Sequence, residues 1–169
     1  GSIENIDGKW YIFYHRHTNS CMFSRQGMVE PIEILPDGTI PQVEMTTSGP
    51  NGKPLDAGAV GEIAAYHACN LYMTQQPIVD VMAGQNPFPY ITQDGPDVAP
   101  ESAEKPEPYI RNLTPGTVVG FKYLDFHNIT KVSVQTRGMC YCGGFDVLLA
   151  PDGEPIGTAT AQGGNEWTW

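Results

Sequence analysis

Basic residues are scarce in this chain: nine Lys and Arg stand against 19 Asp and Glu in 169 residues, a formal net charge of −10. Nucleic acid and anionic membrane surfaces both call for a basic footprint, so neither is expected as a partner, whereas a neutral ligand fits the balance. No apolar run reaches the roughly 18 residues that a spanning helix needs. Four cysteines are too few for a disulfide scaffold. Cys140 and Cys142 are separated by one residue and leave a strand on the same face, held too stiffly to bridge one another readily. A Cys21–Cys69 bridge, or one from either of the other two, stays open beside the favoured reading of buried free thiols. Cys140-Tyr141-Cys142 has no second Cys or His pair at zinc spacing, and neither a phosphate-cradling glycine loop nor a nucleophile elbow occurs. Uninterrupted helical space is short too, because 19 glycines and 15 prolines punctuate the chain. With 40% hydrophobic residues available for a core, the expectation is an all-β protein of one ordinary domain, or a small domain with an appendage.

What is present begins at once with a hairpin. Asp7-Gly8 tolerates the positive φ angles of a tight turn, and Trp10, Ile12 and Tyr14 alternate with Tyr11, Phe13 and His15. A strand apolar on both faces is expected to be buried, which a hairpin alone cannot achieve, so the chain reads as a piece cut from something longer. Residues 20–25 and 28–35 are expected to form a second strand pair or one bulged continuous strand, and 39–46 a strand after a Pro36-Asp37-Gly38 turn. Residues 46–61 have the composition of a linker or a surface-hugging connection. Later strands are predicted from Ile63 to Leu71, at Tyr109–Asn112, Thr117–Phe126, Lys131–Arg137, Gly144–Ala150 and Ile156–Ala161, with a long proline-rich acidic loop between Pro87 and Pro108. The closing Glu166-Trp167-Thr168-Trp169 places two large aromatics at strand spacing, an ending that asks for covering neighbours. Asn112-Leu113-Thr114 and Asn128-Ile129-Thr130 fit the glycosylation acceptor pattern, which arises often by chance.

Several of these segments, taken in order, carry a resemblance. Gly1-Ser2-Ile3, Gly8-Lys9-Trp10-Tyr11-Ile12-Phe13-Tyr14-His15-Arg16, Phe23-Ser24-Arg25-Gln26, Glu30-Pro31-Ile32 and Asp37-Gly38-Thr39-Ile40-Pro41-Gln42-Val43 resemble the last blade of a family 43 glycoside hydrolase. From Gly61 onward the chain is similar to the β-sandwich that often follows that five-bladed propeller, a relative of family 6 carbohydrate-binding modules. Its carriers are Ala65-Tyr66-His67-Ala68-Cys69-Asn70-Leu71, Tyr90-Ile91-Thr92-Gln93-Asp94-Gly95-Pro96-Asp97, Gly120-Phe121-Lys122-Tyr123-Leu124-Asp125-Phe126, Arg137-Gly138 and Gly143-Gly144-Phe145-Asp146-Val147. The resemblance implies the final strands of a propeller at 1–48, a linker at 49–61, and at 62–169 an incomplete jelly-roll sandwich truncated at its C-terminus. It also implies a parent enzyme that hydrolyses arabinose- or xylose-containing plant polysaccharides with inversion, of the α-L-arabinofuranosidase or β-xylosidase type.

Inverting hydrolysis needs two carboxyl groups spaced around a water, and the resemblance puts both upstream of Gly1. Glu4, Asp7, Glu30, Glu33 and Glu44 are accordingly read as ordinary strand or turn acids, and the isolated chain as inactive. Arg25 is the candidate substrate contact, since a guanidinium can bind sugar hydroxyls and lower the pKa of a neighbouring carboxylate; pairing with Glu30 or Glu44 is the structural alternative. His17, with His15 and Arg16 before it, lies at the same strand end. A calcium-binding His of the relatives would fall one residue upstream, so calcium is expected at most in the full-length parent. Trp167 and Trp169 match the sugar-stacking segment, although Asn165 stands where a Trp usually does, and core is the favoured reading of both. Implied partners are a neutral oligo- or polysaccharide and the rest of the propeller; the compartment stays open. A rival reading is a free-standing carbohydrate-binding module, which should expose aromatics in a cleft. A third is an architectural spacer, which should bury Trp167, Trp169, Tyr66 and Tyr109.

Overall fold

The computed structural model describes residues 1–17, 25–75, 88–93, 107–138 and 143–169, which form two compact units, Gly1–His127 and Asn128–Trp169. Both are built almost wholly of short strands, so the chain is all-β, with one four-residue helical turn among the described residues.

The first unit opens with an antiparallel sheet of β1 (Ser2–Ile6), β2 (Lys9–His17) and β3 (Arg25–Ile32), in that spatial order. Asp7 and Gly8 have φ of 51° and 81°, the doubly positive pair that a two-residue hairpin turn requires, and the Gly8 N–H donates to Asn5 Oδ1 at 3.2 Å. The β1–β2 register runs from Ile6 opposite Lys9 to Ser2 opposite Phe13, and the β2–β3 register from Trp10 opposite Ile32 to His17 opposite Arg25. Pro31 lies in β3, an edge strand, where a residue without an N–H is tolerated. As expected of a hairpin that cannot bury both faces by itself, β2 lacks full cover within this unit: it is half-buried along its centre and exposed at its ends.

The Pro36-Asp37-Gly38 turn forms as expected: Gly38 has φ of 84°, its N–H donates to Leu35 O at 2.8 Å, and Asp37 Oδ1 accepts from Thr39 N at 2.9 Å. The strand expected at 39–46 does not follow. These residues join no ladder; Pro41 has no N–H to give, and the end of the segment is held instead by a side chain, Glu30 Oε1 accepting from Thr46 N at 2.6 Å.

The connection from 46 to 61 is ordered and closely held. It contains a 3-10 turn at Gly49–Asn51, β4 (Leu55–Asp56) and α1 (Ala57–Val60), whose first turn is capped by Asp56 Oδ1 accepting from Ala59 N at 3.0 Å. A second 3-10 turn covers Ala65–His67, so the strand foreseen from Ile63 begins only with β5 (Asn70–Met73). The remaining strands of the unit are β6 (Tyr90–Thr92), β7 (Tyr109–Arg111), β8 (Thr117–Gly120) and β9 (Leu124–Asp125). β5 pairs with β8 and β6 with β7, both antiparallel, while β4 pairs with β9 in parallel. Beside β4, Leu55 N donates to Tyr123 O at 2.9 Å and Lys122 N to Thr47 Oγ1 at 3.0 Å. The buried apolar residues among those described are Ala68, Cys69 and Ile91, a small core around which the short ladders are arranged. Cys69 is a free thiol, so the Cys21–Cys69 bridge left open by the sequence is not formed; Cys21, Cys140 and Cys142 lie outside the described residues.

The second unit has two antiparallel ladders. β10 (Thr136–Gly138) pairs with β13 (Gly164–Thr168), with a register shift between Thr136 and Gly138, and β11 (Gly144–Val147) pairs with β12 (Gly157–Thr160). The turn foreseen at Pro151-Asp152-Gly153 closes the latter hairpin, with Gly153 N donating to Ala150 O at 3.0 Å. Of the strand expected over 131–137, only the last two residues enter a ladder.

Candidate functional site

Two candidates from the sequence are brought together at one end of the first sheet. Arg25 begins β3 and sits opposite His17, the last residue of β2, so the two share a cross-strand position, and both are exposed. The His15 and His17 rings lie 6.5 Å apart on the same face of β2. Phe23 and Ser24, which precede Arg25 in the family-like segment, fall outside the described residues. The carboxylates offered as structural partners for Arg25 have other donors: Glu30 takes two hydrogen bonds from Thr46, and Glu44 takes one each from Lys122 and Tyr123.

Between the two histidines, Arg16 points to the opposite face and does what the sequence did not disclose. Its Nη1 donates to Cys69 O at 2.8 Å, Nη2 donates to Ala68 O and, at 2.8 Å, to Gln26 Oε1, and Nε donates to the same Oε1 at 3.0 Å. Gln26, directly opposite in the ladder, passes the contact on by donating from Nε2 to Tyr66 O at 2.9 Å. A guanidinium supplies several donors in a fixed plane, which suits a row of converging carbonyls. Burial pushes the Arg16 guanidinium below its ordinary pKa, with the Cys69 and Tyr14 side chains opposing; burial, then the nearby Glu30 charge, raises Tyr14. Strand alternation places Arg16 and Gln26 on one face, but nothing local names the 66–69 carbonyls as their target.

A second polar group lies where β3 meets the segment after it. Glu30 is 2% exposed, and each of its oxygens is engaged by Thr46, Oε1 by the backbone N–H at 2.6 Å and Oε2 by the hydroxyl at 2.8 Å. Thr46 Oγ1 in turn accepts from Ser48 N at 3.2 Å. Nearby, Glu44 accepts from Lys122 Nζ at 2.8 Å and from the Tyr123 hydroxyl at 2.6 Å. These bonds hold the Glu44 carboxyl below its ordinary value and raise both Lys122 and Tyr123. A shallow cleft of 280 Å³ runs along this group. Both carboxylates are thus engaged in fixing backbone and side chains.

In the second unit, Trp167 on β13 is 39% exposed and Trp169 63%, and the Arg137 guanidinium lies 4.7 Å from the centre of the Trp167 ring, a cation–π distance. Tyr66 and Tyr109, in the first unit, are half-buried. Among the described residues, no group of three or more His, Cys, Asp or Glu side chains could hold a metal ion, and no helix is long and apolar enough to cross a membrane.

Fold and sites together define an all-β chain of short, mostly antiparallel ladders, with polar clusters tying its connections in place and two exposed indoles, one on its last strand and one just after it. Over 171 aligned residues it is 46% identical to a protein described as "Xylosidase/arabinosidase" from Thermoclostridium stercorarium, an alignment covering 99% of this chain and 34% of that protein. The chain thus spans about a third of the length of the curated relative it matches. No protein-family profile and no solved structure matches it.

Proposed function

We propose that the chain is part of a family 43 type glycoside hydrolase that removes arabinose or xylose units from plant polysaccharides. Residues 1–48 supply strands of its last propeller blade, 49–61 connect, and 62–169 belong to a sandwich related to family 6 carbohydrate-binding modules. The observation that carries this reading is the 46% identity to a protein described as a xylosidase/arabinosidase, sustained over 99% of the chain. Support also comes from the antiparallel β1–β2–β3 sheet and from the adjacency of Arg25 and His17 at its end. In this reading the general acid and base of inverting hydrolysis belong to other blades of the parent. Arg25 donates to a sugar hydroxyl and favours the ionised state of a nearby catalytic carboxylate, while His17 lines the rim.

The test is hydrolysis of an aryl α-L-arabinofuranoside and an aryl β-D-xyloside by the longer polypeptide that contains this chain and, separately, by the 169 residues alone. Turnover of at least one substrate by the longer polypeptide and none by the chain alone is the expected result. A longer polypeptide inert on both would overturn the reading.

A second reading, in which the sandwich segment itself binds carbohydrate, draws on the exposure of Trp167 and Trp169. Retardation of the chain in arabinoxylan gels, lost on Trp167→Ala, is its expected result; unretarded migration counts against it.

A further inference from the structure

We propose that the cleft between β3 and the 41–54 segment is a binding site for a neutral pentose unit, separate from the Arg25–His17 end of the sheet. Three observations carry it. Ser48 lines the cleft and is 5% exposed, yet its Oγ is buried without any hydrogen-bond partner. The residue stands at the N-cap position of the Gly49–Asn51 turn, but its side chain does not cap, so the hydroxyl is not consumed locally. A buried hydroxyl left unpaired is costly, and a ligand hydroxyl that reached it would remove that cost.

The second observation is the platform opposite. Tyr123 lines the same cleft, is 49% exposed, and is fixed by the hydrogen bond from its hydroxyl to Glu44 Oε2 at 2.6 Å. A ring held in place offers an apolar face to the C–H side of a sugar at little cost in ordering. The third is charge. Glu30, Glu33 and Glu44 line the cleft with Lys53, and Lys122 pairs with Glu44, so three carboxylates stand against two ammonium groups, a balance that does not favour phosphates or uronic acids. A metal ion is equally ill served, since both Glu30 oxygens are occupied by Thr46 and those of Glu44 by Lys122 and Tyr123. What remains is a small, uncharged, polyhydroxylated ligand, and a volume of 280 Å³ suits a single sugar ring or little more.

The choice of pentose rests on the glycoside hydrolase reading above; the site itself rests on Ser48 and Tyr123. The experiment titrates the chain, labelled with 13C at tyrosine, with xylobiose and with L-arabinose, assigning the Tyr123 resonance by Tyr123→Phe. A shift of Tyr123 with affinity on the order of millimolar is expected for at least one sugar. D-Glucuronate and calcium chloride should leave it unmoved. Ser48→Ala should weaken that affinity about three- to tenfold, the loss of one neutral hydrogen bond, while leaving the melting temperature equal or higher because an orphaned polar group has been removed. Tyr123→Ala, which removes the stacking face, should abolish the calorimetric heat of binding in a chain whose melting transition confirms that it is folded. No Tyr123 response to either sugar at tens of millimolar, or an affinity indifferent to Ser48→Ala, would overturn the site. An equal response to glucuronate or calcium would overturn its ligand class. The hydrolysis assay on the longer polypeptide is independent of this titration, so failure of the parent reading and failure of the cleft are read separately.

Discussion

Removing the Arg16 guanidinium should loosen the first unit at one identifiable place. Arg16→Ala leaves the carbonyl oxygens of Ala68 and Cys69, whose residues are buried, and Gln26 Oε1 without the donors they have now. A hydrogen bond from a charged donor contributes about 1.5 to 3 kcal/mol, and a carbonyl stranded away from water costs a further 1 to 3 or so. Arg16 is only half-buried and water can reach part of the gap, so the low end of the combined range applies: about 3 kcal/mol, a large share of the roughly 5 to 15 kcal/mol that holds a domain folded. Cys69 supplies the assay, because its thiol is buried within the segment that Arg16 grips and donates only a long bond, 3.6 Å, to Gly120 O. In a background with Cys21, Cys140 and Cys142 changed to serine, labelling by an aromatic disulfide reports opening of that segment. The labelling rate should rise on the order of a hundredfold in Arg16→Ala, following the opening equilibrium. Arg16→Lys, which can satisfy one carbonyl but not three acceptors, should fall between. A rate within about threefold of the parent, with denaturant midpoints unchanged, would refute the clamp.

In the enclosing enzyme, Arg25→Ala should lower turnover of an aryl pentoside by roughly two to three orders of magnitude, about 2 to 4 kcal/mol of barrier, with little change in melting temperature; rates within about threefold of the parent remove Arg25 from the site. The Glu44–Lys122–Tyr123 group should give stability a defined pH window. Glu44 has a folded pKa below 4.5, so its contribution is present at neutral pH and lost as pH falls through the lowered value. Lys122 and Tyr123 are raised above 10.5 and 10.0, so their contributions are complete below those values and lost as pH rises through the raised ones. Thermal melts of Glu44→Gln should therefore converge with the parent at both extremes and differ between them, while a constant offset at every pH would contradict the assignment. Glu30→Ala frees the Thr46 N–H and hydroxyl together, and amide exchange at Thr46 should accelerate far more than at Leu55; equal acceleration would show that Glu30 does not anchor this segment.

How much of this could be read from sequence depended on how local the cause was. Asp7-Gly8, Pro36-Asp37-Gly38 and Pro151-Asp152-Gly153 were legible because a turn is decided by the backbone preferences of the residues within it. The 39–46 segment was misjudged because Ile40, Val43 and Met45 suggest a strand, while its fate was set by Pro41 and by a carboxylate 16 residues away. Neither the parallel pairing of Leu55 with Leu124 nor the meeting of Glu44 with Lys122 has any local signature. The same division runs through the sites. Alternation placed His15 and His17 on one face and Arg16 on the other, and hairpin register brought Arg25 opposite His17. The carbonyls that Arg16 reaches, and the missing partner of Ser48, depend on packing between segments that periodicity does not encode.

The position of Pro31 gives the first sheet a direction of growth. β3 lacks one donor there, so it is a poor template for another strand, whereas β1 on the far side presents a five-residue backbone with no proline and with Ile3 and Ile6 exposed. Unpaired strand edges are where chains associate, wanted or not. Among the described residues β1 is therefore the edge at which association is expected: a charge at Ile3 should reduce it, as light scattering would show, whereas the same change along β3 should do little.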